Sequence, residues 1–217
     1  MPVPRRDWLW RDILLPLLVS RLTLMLVGWM AMRMLHNVRP GTWEIGWHGN
    51  IVPIEDHVSA CNHPLINMWS RWDAGWYQGI AESGYKFTPD RPSNVAFFPM
   101  YPMLMRAAHI FAGSHRHLWW FLSGIVVSNA ALAIALTYLF LLVRLEFDEA
   151  AARRAVLYLL IFPTTLFLSA VYSESVFLAF TLSAVYYARK RAWWLAGFLS
   201  GAAALSRPPG VVIFVWL

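Results

Sequence analysis

From Trp119 to Val143 the chain carries no charged residue. That run is longer than the roughly 20 apolar residues needed to cross a bilayer core. In hydrocarbon every backbone N–H and C=O must find its partner within the segment, so the run is a helix. A second run, 13–35, is apolar apart from Arg21, Arg33 and a few small polar residues. Further runs follow at 156–170, 176–188 and 193–206, with the opening of another at 210–217. The pattern predicts an all-α polytopic membrane protein, a single membrane domain over 1–217 with five to six spans. Composition agrees: 59% of residues are hydrophobic and 14% charged, against about 45–50% and about 25% in soluble domains. Mean hydropathy is +0.48. Thirteen Trp and eight Tyr suit the membrane–water interface, where both rings are enriched.

Charge sets the expected topology. Arg5, Arg6 and Arg11 precede the first run, Arg144–Arg154 separates the second from the third, and Arg189-Lys190-Arg191 separates the fourth from the fifth. Short loops rich in Lys and Arg stay cytoplasmic. Alternating the spans then puts three regions on the opposite side: the long 37–118 stretch, the "VYSES" turn and the "SRPPG" turn. Polar features distant in sequence thus face one compartment. The net charge of +6 belongs to these flanks, which points to topology and anionic lipid rather than nucleic acid. The first run is too long for a signal peptide and lacks an A-x-A site. Cys61 is the single cysteine and can form no internal disulfide. After Pro208-Pro209 only eight residues remain, seven of them apolar from Val211 to Leu217. Either the last span is broken there, or the chain is a piece of a longer protein; the second reading is the expectation.

Four places could carry chemistry. In "RWDAGWYQGIAESGY", Asp73, Trp76, Tyr77 and Ile80 fall at i, i+3, i+4 and i+7, one face of a short helix, and Gly84 supplies a helix stop. An aromatic face suits a helix lying at the interface. An acid there either serves a function or caps its own helix. "VAFFPMYPMLM", with Phe97, Phe98, Pro99, Tyr101 and Pro102, reads as a stiff segment re-entering the interface or as plain anchoring. Glu174 in "VYSES" could hold a hydroxyl, pair with an arginine, or favour the next helix from its first turn. Arg207 follows a run of about 21 Å, at roughly 1.5 Å per residue, which falls short of the ~30 Å core. It therefore sits recessed, suited to binding a phosphate through two parallel hydrogen bonds or to snorkelling. Arg21, inside the first run, either pairs with an acid or headgroup or glues the packing. The seven histidines lie between His36 and His117 in no zinc-site spacing. No P-loop, dinucleotide fingerprint or serine-nucleophile elbow is present.

Taken in order, "RWDAGWYQGIAESGY", "VAFFPMYPML", "FPTTLFLSAVYSESVFLAF" and "RAWWLAGFLSGAAALSRPPGVVI" resemble the PIG-V-like family. That family is related to GPI mannosyltransferase II and sits within the GT-C membrane glycosyltransferases. The likeness runs from Arg21 to Val212. It implies a GT-C-like helical bundle whose large first extracytoplasmic loop, 37–118, holds short interfacial helices and the catalytic acid. It also implies a sugar, usually mannose, taken from a polyprenyl- or dolichyl-phosphate carrier. The family's first-loop acid maps onto Asp73 and its acidic motif after the third span onto Glu174. Family members are commonly about twice as long, which matches the reading of a chain truncated at its C-terminus.

The resulting expectation is inverting, metal-independent transfer without a cofactor, to a glycan or glycolipid hydroxyl outside the cytoplasm. Asp73 is the catalytic base. Arg71, Trp72, Trp76, Tyr77, Tyr172, Glu174 and Arg207 bind substrate: the arginines face the carrier phosphate, Glu174 orients the acceptor or an arginine, and the aromatics stack on sugar. The protein would sit in the plasma membrane of a prokaryote or the endoplasmic reticulum of a eukaryote. The rival expectation is a non-catalytic membrane protein or inactive fragment that binds a lipid-linked sugar or serves as an assembly subunit. Convergence of Asp73, Glu174 and Arg207 would favour catalysis over that rival. In a variant with Cys61 replaced by serine, single cysteines at 73 and 207 are expected to react with an impermeant maleimide from the same, non-cytosolic face. Labelling from opposite faces would overturn the topology.

Overall fold

The structure, a computed structural model, describes residues 7–34, 43–45, 51–53, 64–87, 89, 93–113 and 117–216. His36, His48, Cys61, His57, His63, His115 and much of the 37–63 stretch lie outside them. A π-helical turn, Trp10–Leu14, leads into α1 (Leu15–Met34). The long loop contains an antiparallel pair, β1 (Trp43–Ile45) and β2 (Ile51–Pro53), with Trp43 opposite Pro53. It also holds the helices α2 (Pro64–Asn67), α3 (Ala74–Ser83) and α4 (Met100–His109). Then come α5 (His117–Glu146), α6 (Glu149–Ile161), α7 (Glu174–Arg189), α8 (Trp193–Ala204) and α9 (Gly210–Trp216). The described residues are thus helical apart from the strand pair and the connections.

Among the described residues, two helical stretches are long and apolar enough to cross a membrane, Trp10–Ala31 and Leu118–Glu146. In the first only 11% of the most apolar stretch is covered by protein, and Leu18, Val19, Leu22, Leu26 and Val27 stand exposed. An apolar face that broad fits lipid rather than water.

The region expected to span at 156–170 is built differently. Its helix, α6, begins at Glu149, inside the stretch that looked like a charged loop. Asp148 caps it, its carboxylate accepting from the Ala151 N–H at 2.6 Å, and the Ala-rich "EAAARRA" has high helix propensity. The helix stops at Ile161 because Phe162 precedes Pro163: a residue before proline is pushed out of the α region, and Phe162 is extended (φ −62°, ψ 138°). From Phe162 to Ser173 the chain makes a short 3₁₀ turn, Pro163–Leu166, and then irregular turns before α7.

α5 stands between two cores. One face, with Phe121, Ala131 and Ala135, packs with Tyr77 of α3, Tyr101 and Met105 of α4, and Val176 and Ala179 of α7. The other, with Leu132, Leu136 and Phe140, packs with Ile13 and Leu17 near the start of α1 and with Val156 and Leu160 of α6. At one end, Arg153 joins Asp12 at 3.1 Å and Arg189 joins Glu146. The three basic regions are thereby gathered together. Gly124, near the other end of α5, is about 33 Å from Glu146 at roughly 1.5 Å per residue.

Arg21 acts as glue. Its guanidinium donates to the Thr165 carbonyl at 3.0 Å, the Thr165 hydroxyl at 2.8 Å and the Ser169 hydroxyl at 2.7 Å. Polar groups of a non-helical segment among apolar helices need such partners. Arg21→Leu deletes all three bonds and strips the Thr165 hydroxyl of its partner, at about 1–3 kcal/mol, while the Thr165 carbonyl keeps the Leu168 N–H and the Ser169 hydroxyl keeps Asn129. The purified protein in detergent should melt several degrees lower, and Arg21→Lys, which lacks the planar fork, should fall between.

Candidate active site

Asp73 occupies the N-cap position of α3 in helical dihedrals (φ −67°, ψ −12°), yet its side chain makes no capping hydrogen bond. Its backbone does that work: the Asp73 carbonyl accepts from the N–H groups of Trp76 at 3.0 Å and Tyr77 at 3.2 Å. The carboxylate is therefore not held by the helix it precedes. The preceding residue, Trp72, has φ 50°, a left-handed conformation costing about 1–3 kcal/mol in a bulky residue. Gly84 ends α3 at φ 80°, its N–H on the Ile80 carbonyl at 2.9 Å, as the sequence predicts.

The aromatic face of α3 turns inward rather than onto an interface. Tyr77 and Ile80 are buried, and the Tyr77 ring meets Phe97 edge-on at 5.1 Å and Tyr101 at 5.0 Å. Trp76 stacks on Phe97 at 6.0 Å, and Trp72 tilts against Phe167 at 6.0 Å. Both tryptophans keep an open surface, 59% for Trp72 and 38% for Trp76, so the cluster presents apolar rings to whatever approaches Asp73. Tyr101 is fully buried, its hydroxyl 2.8 Å from that of Ser128 and donating to the Gly124 carbonyl at 3.0 Å.

The "YSES" turn meets this cluster from the other side. The Tyr172 hydroxyl accepts from the Asp73 N–H and donates to the Arg71 carbonyl, both at 3.2 Å. Ser173 precedes α7 without capping it, and its hydroxyl lies 3.0 Å from that of Tyr77. Glu174 opens α7, where the helix dipole favours an acid. Its Oε1 accepts from Arg207 Nη1, while Oε2 is buried and has no hydrogen-bond partner among the described residues.

Arg207 arrives on the turn between α8 and α9. Its N–H bonds the Ala203 carbonyl at 3.2 Å, and its own carbonyl accepts from Gly210 at 3.0 Å. The turn is latched to the first loop by the Met100 N–H on the Leu205 carbonyl at 3.1 Å. Gly210 is required by close approach: a Cβ there would lie 2.3 Å from the Ala203 carbonyl oxygen.

Asp73, Glu174 and Arg207 thus share one electrostatic neighbourhood. Partial burial raises the Asp73 pKa from its ordinary value, and Arg207 pulls it back down. Burial raises Tyr77 too, the Ser173 hydrogen bond lowers it, and Glu174, Arg207 and Asp73 all act on it. Tyr172 is pushed up to about 12, chiefly by burial. Arg71 is half-buried, and its guanidinium makes no ion pair among the described residues.

All eight residues singled out from the sequence therefore lie on three adjoining segments: 71–77, 172–174 and the turn at 207. The sequence reading missed Phe97 and Phe167 as walls of the cluster, Ser173 as the partner of Tyr77, and Tyr101 as the post beneath it. The proline-flanked aromatics of "FFPMYP" were the available signal for two of these. Among the described residues no group of three or more His, Cys, Asp or Glu side chains is placed to hold a metal ion. Close by, an apolar groove of about 470 Å³ runs between α4, α5, α7 and α8. Leu104, Val127 and Val176 line its end nearest the site, and Tyr138 and Tyr187 the far end.

The family described as Mannosyltransferase (PIG-V) matches residues 51–212. A GPI alpha-1,6-mannosyltransferase 2 of Rattus norvegicus is 34% identical over 185 residues, covering 75% of this chain and 36% of its own length. The protein of that name from Mus musculus is 34% identical over 156 residues, covering 68% of this chain and 30% of its own length. The chain thus spans about a third of the curated relatives it matches. No solved structure matches it.

Gly210→Ala tests the seat of Arg207. The added methyl drives α9 off the end of α8, an overpacking cost of about 1–3 kcal/mol. A lower melting temperature is expected, with limited proteolysis appearing first around 205–212.

Proposed function

The chain belongs to the PIG-V mannosyltransferase family, and from that premise we propose that it transfers a mannosyl group from a polyprenyl-phosphate carrier to an acceptor hydroxyl with inversion. The observation that supports this reading best is the convergence of Asp73, Glu174 and Arg207, from three distant segments, on one aromatic-walled site. A non-catalytic lipid binder has no need of an acid left uncapped beside an arginine.

In the proposed step the Asp73 carboxylate takes the proton of the acceptor hydroxyl. The acceptor oxygen attacks the anomeric carbon as its bond to the carrier phosphate breaks, so configuration inverts in one displacement. The electron pair of that bond leaves on polyprenyl phosphate. Arg207 offsets the charge developing there, through N–H groups not engaged by Glu174; an arginine has five. Arg71 contributes a second positive charge. A preorganised cation acts most strongly where water is excluded. Glu174 holds the Arg207 fork in place through Oε1. Trp72 and Trp76 offer open ring faces to the sugar, and Tyr77 supports them. The groove beneath the site offers an apolar slot to the carrier's hydrocarbon chain, allowing entry sideways from the membrane. In this reading the site faces the non-cytosolic side, which the Lys- and Arg-rich short loops support.

The test is transfer from radiolabelled polyprenyl-phosphate-mannose in membranes carrying the full chain. Asp73→Asn should lower turnover by about 10²–10⁴-fold at equal expression; unchanged transfer removes Asp73 from the mechanism. The base works deprotonated, so activity rises with pH through a pKa above the ordinary aspartate value. Arg207→Gln removes the influence that lowers that pKa. The acid limb of kcat/KM should therefore move to higher pH, along with a fall in maximal turnover.

A further inference from the structure

We propose that Tyr172 is a positioning residue whose hydroxyl clamps the Arg71–Asp73 turn and so fixes the Asp73 carboxylate relative to Glu174 and Arg207. The proposal rests on the reading of Asp73 as the base and reassigns a residue that the sequence placed among the substrate ligands.

Three observations carry it. First, the hydroxyl bridges both flanks of Trp72, taking the Asp73 N–H and giving its own proton to the Arg71 carbonyl, each at 3.2 Å. Trp72 between them is left-handed at φ 50°. A conformation unfavourable to a bulky residue persists only where its surroundings over-determine it, and these two bonds hold the residues on either side.

Second, the stoichiometry of a hydroxyl excludes a phosphate contact. Tyrosine has one proton to donate, and here the Arg71 carbonyl receives it. A phosphate oxygen needs a donor, so in this arrangement Tyr172 has nothing left to offer the carrier. The residue is also only 7% exposed, its ring packed against Phe167 and Tyr77.

Third, Tyr172 is itself rigidly mounted. Its N–H bonds the Ala170 carbonyl at 2.8 Å, and the neighbouring Val171 N–H bonds the Trp69 carbonyl at 2.9 Å. Its ring meets Phe167 edge-on at 5.6 Å and Tyr77 at 6.4 Å. Glu174 follows two residues later and grips Arg207. One short segment therefore sets the acid of the first loop and the ion pair of the last turn in a common frame.

Tyr172→Phe in the full chain keeps the ring and deletes both bonds. Turnover should fall by up to about 10²-fold, the scale on which a displacement of about 1 Å acts. The KM values for polyprenyl-phosphate-mannose and acceptor should stay within about twofold, because no ground-state contact is lost. In an Asp73→Asn background the same change should lower transfer no further, since both act through one carboxylate. Hydrogen exchange of the peptide covering 71–77 should quicken while the α5 peptides hold their rates. A raised KM with unchanged turnover makes Tyr172 a substrate ligand and overturns the proposal. So does a full multiplicative loss on top of Asp73→Asn, which marks a merely structural role. Rapid exchange at the Asp73 amide of the unmutated protein overturns it with no variant needed. If Asp73→Asn alone leaves transfer intact, the proposed function fails, and the exchange data still decide whether the clamp exists.

Discussion

The chain leaves the helix at Phe162, and from Thr165 to Ser173 it is lodged among apolar helices without being α-helical itself. Short turn bonds, such as the Thr165 N–H to the Phe162 carbonyl and the Ser169 N–H to the Leu166 carbonyl, replace only part of the helical ladder, and an unpartnered peptide group in hydrocarbon costs several kcal/mol. Side chains from elsewhere take up the role. Arg21 and Ser20 reach in from α1, to Thr165, Ser169 and the Leu160 carbonyl. Ser128 of α5 donates to the Ala170 carbonyl at 2.6 Å, Asn129 accepts from Ser169 at 2.8 Å, and Ser175 donates to the Leu168 carbonyl. The irregular segment is thus stitched on both sides, and what it presents at its end, Tyr172, Ser173 and Glu174, arrives with little freedom.

That rigidity explains how two acids in one neighbourhood come to differ. Glu174 sits on a helix N-terminus against Arg207, committed to a partner. Asp73 precedes a helix that its carboxylate does not cap, and burial lifts its pKa while Arg207 acts on it from the side. One acid is tied to a cation and the other is left with a free carboxylate, which is how one site separates an electrostatic role from a proton-accepting one. Here the separation follows from which backbone carries each residue: a left-handed turn for Asp73, a helix start for Glu174.

Much of this was legible in the sequence because it depends on local rules. The uncharged run through α5, the stop at Gly84 and the candidate acids follow from spacing and residue chemistry alone. Regions that misled did so where two local signals competed. The charged "DEAAARRA" looks like a loop by polarity, yet its Asp cap and alanines make it the first turns of α6. "FPTTLFLSA" looks like a span by hydropathy, yet Pro163 ends the helix before it. The partners of Arg21 and Tyr172 lie 144 and 99 or more residues away in sequence. Pairings over such distances leave no periodic trace. The wall at Phe167 was invisible for the same reason.

The left-handed backbone at Trp72 bears on which substitutions the loop can accept. Glycine or asparagine would sit there with less strain, so a tryptophan at that position is not there for the comfort of its main chain. A β-branched replacement would suffer the same φ and lose the flat ring as well. The indole's place is thus explained by the surface it displays beside Asp73, and a library of variants at 72 sorted separately for thermal resistance and for turnover would rank the same residues in opposing orders.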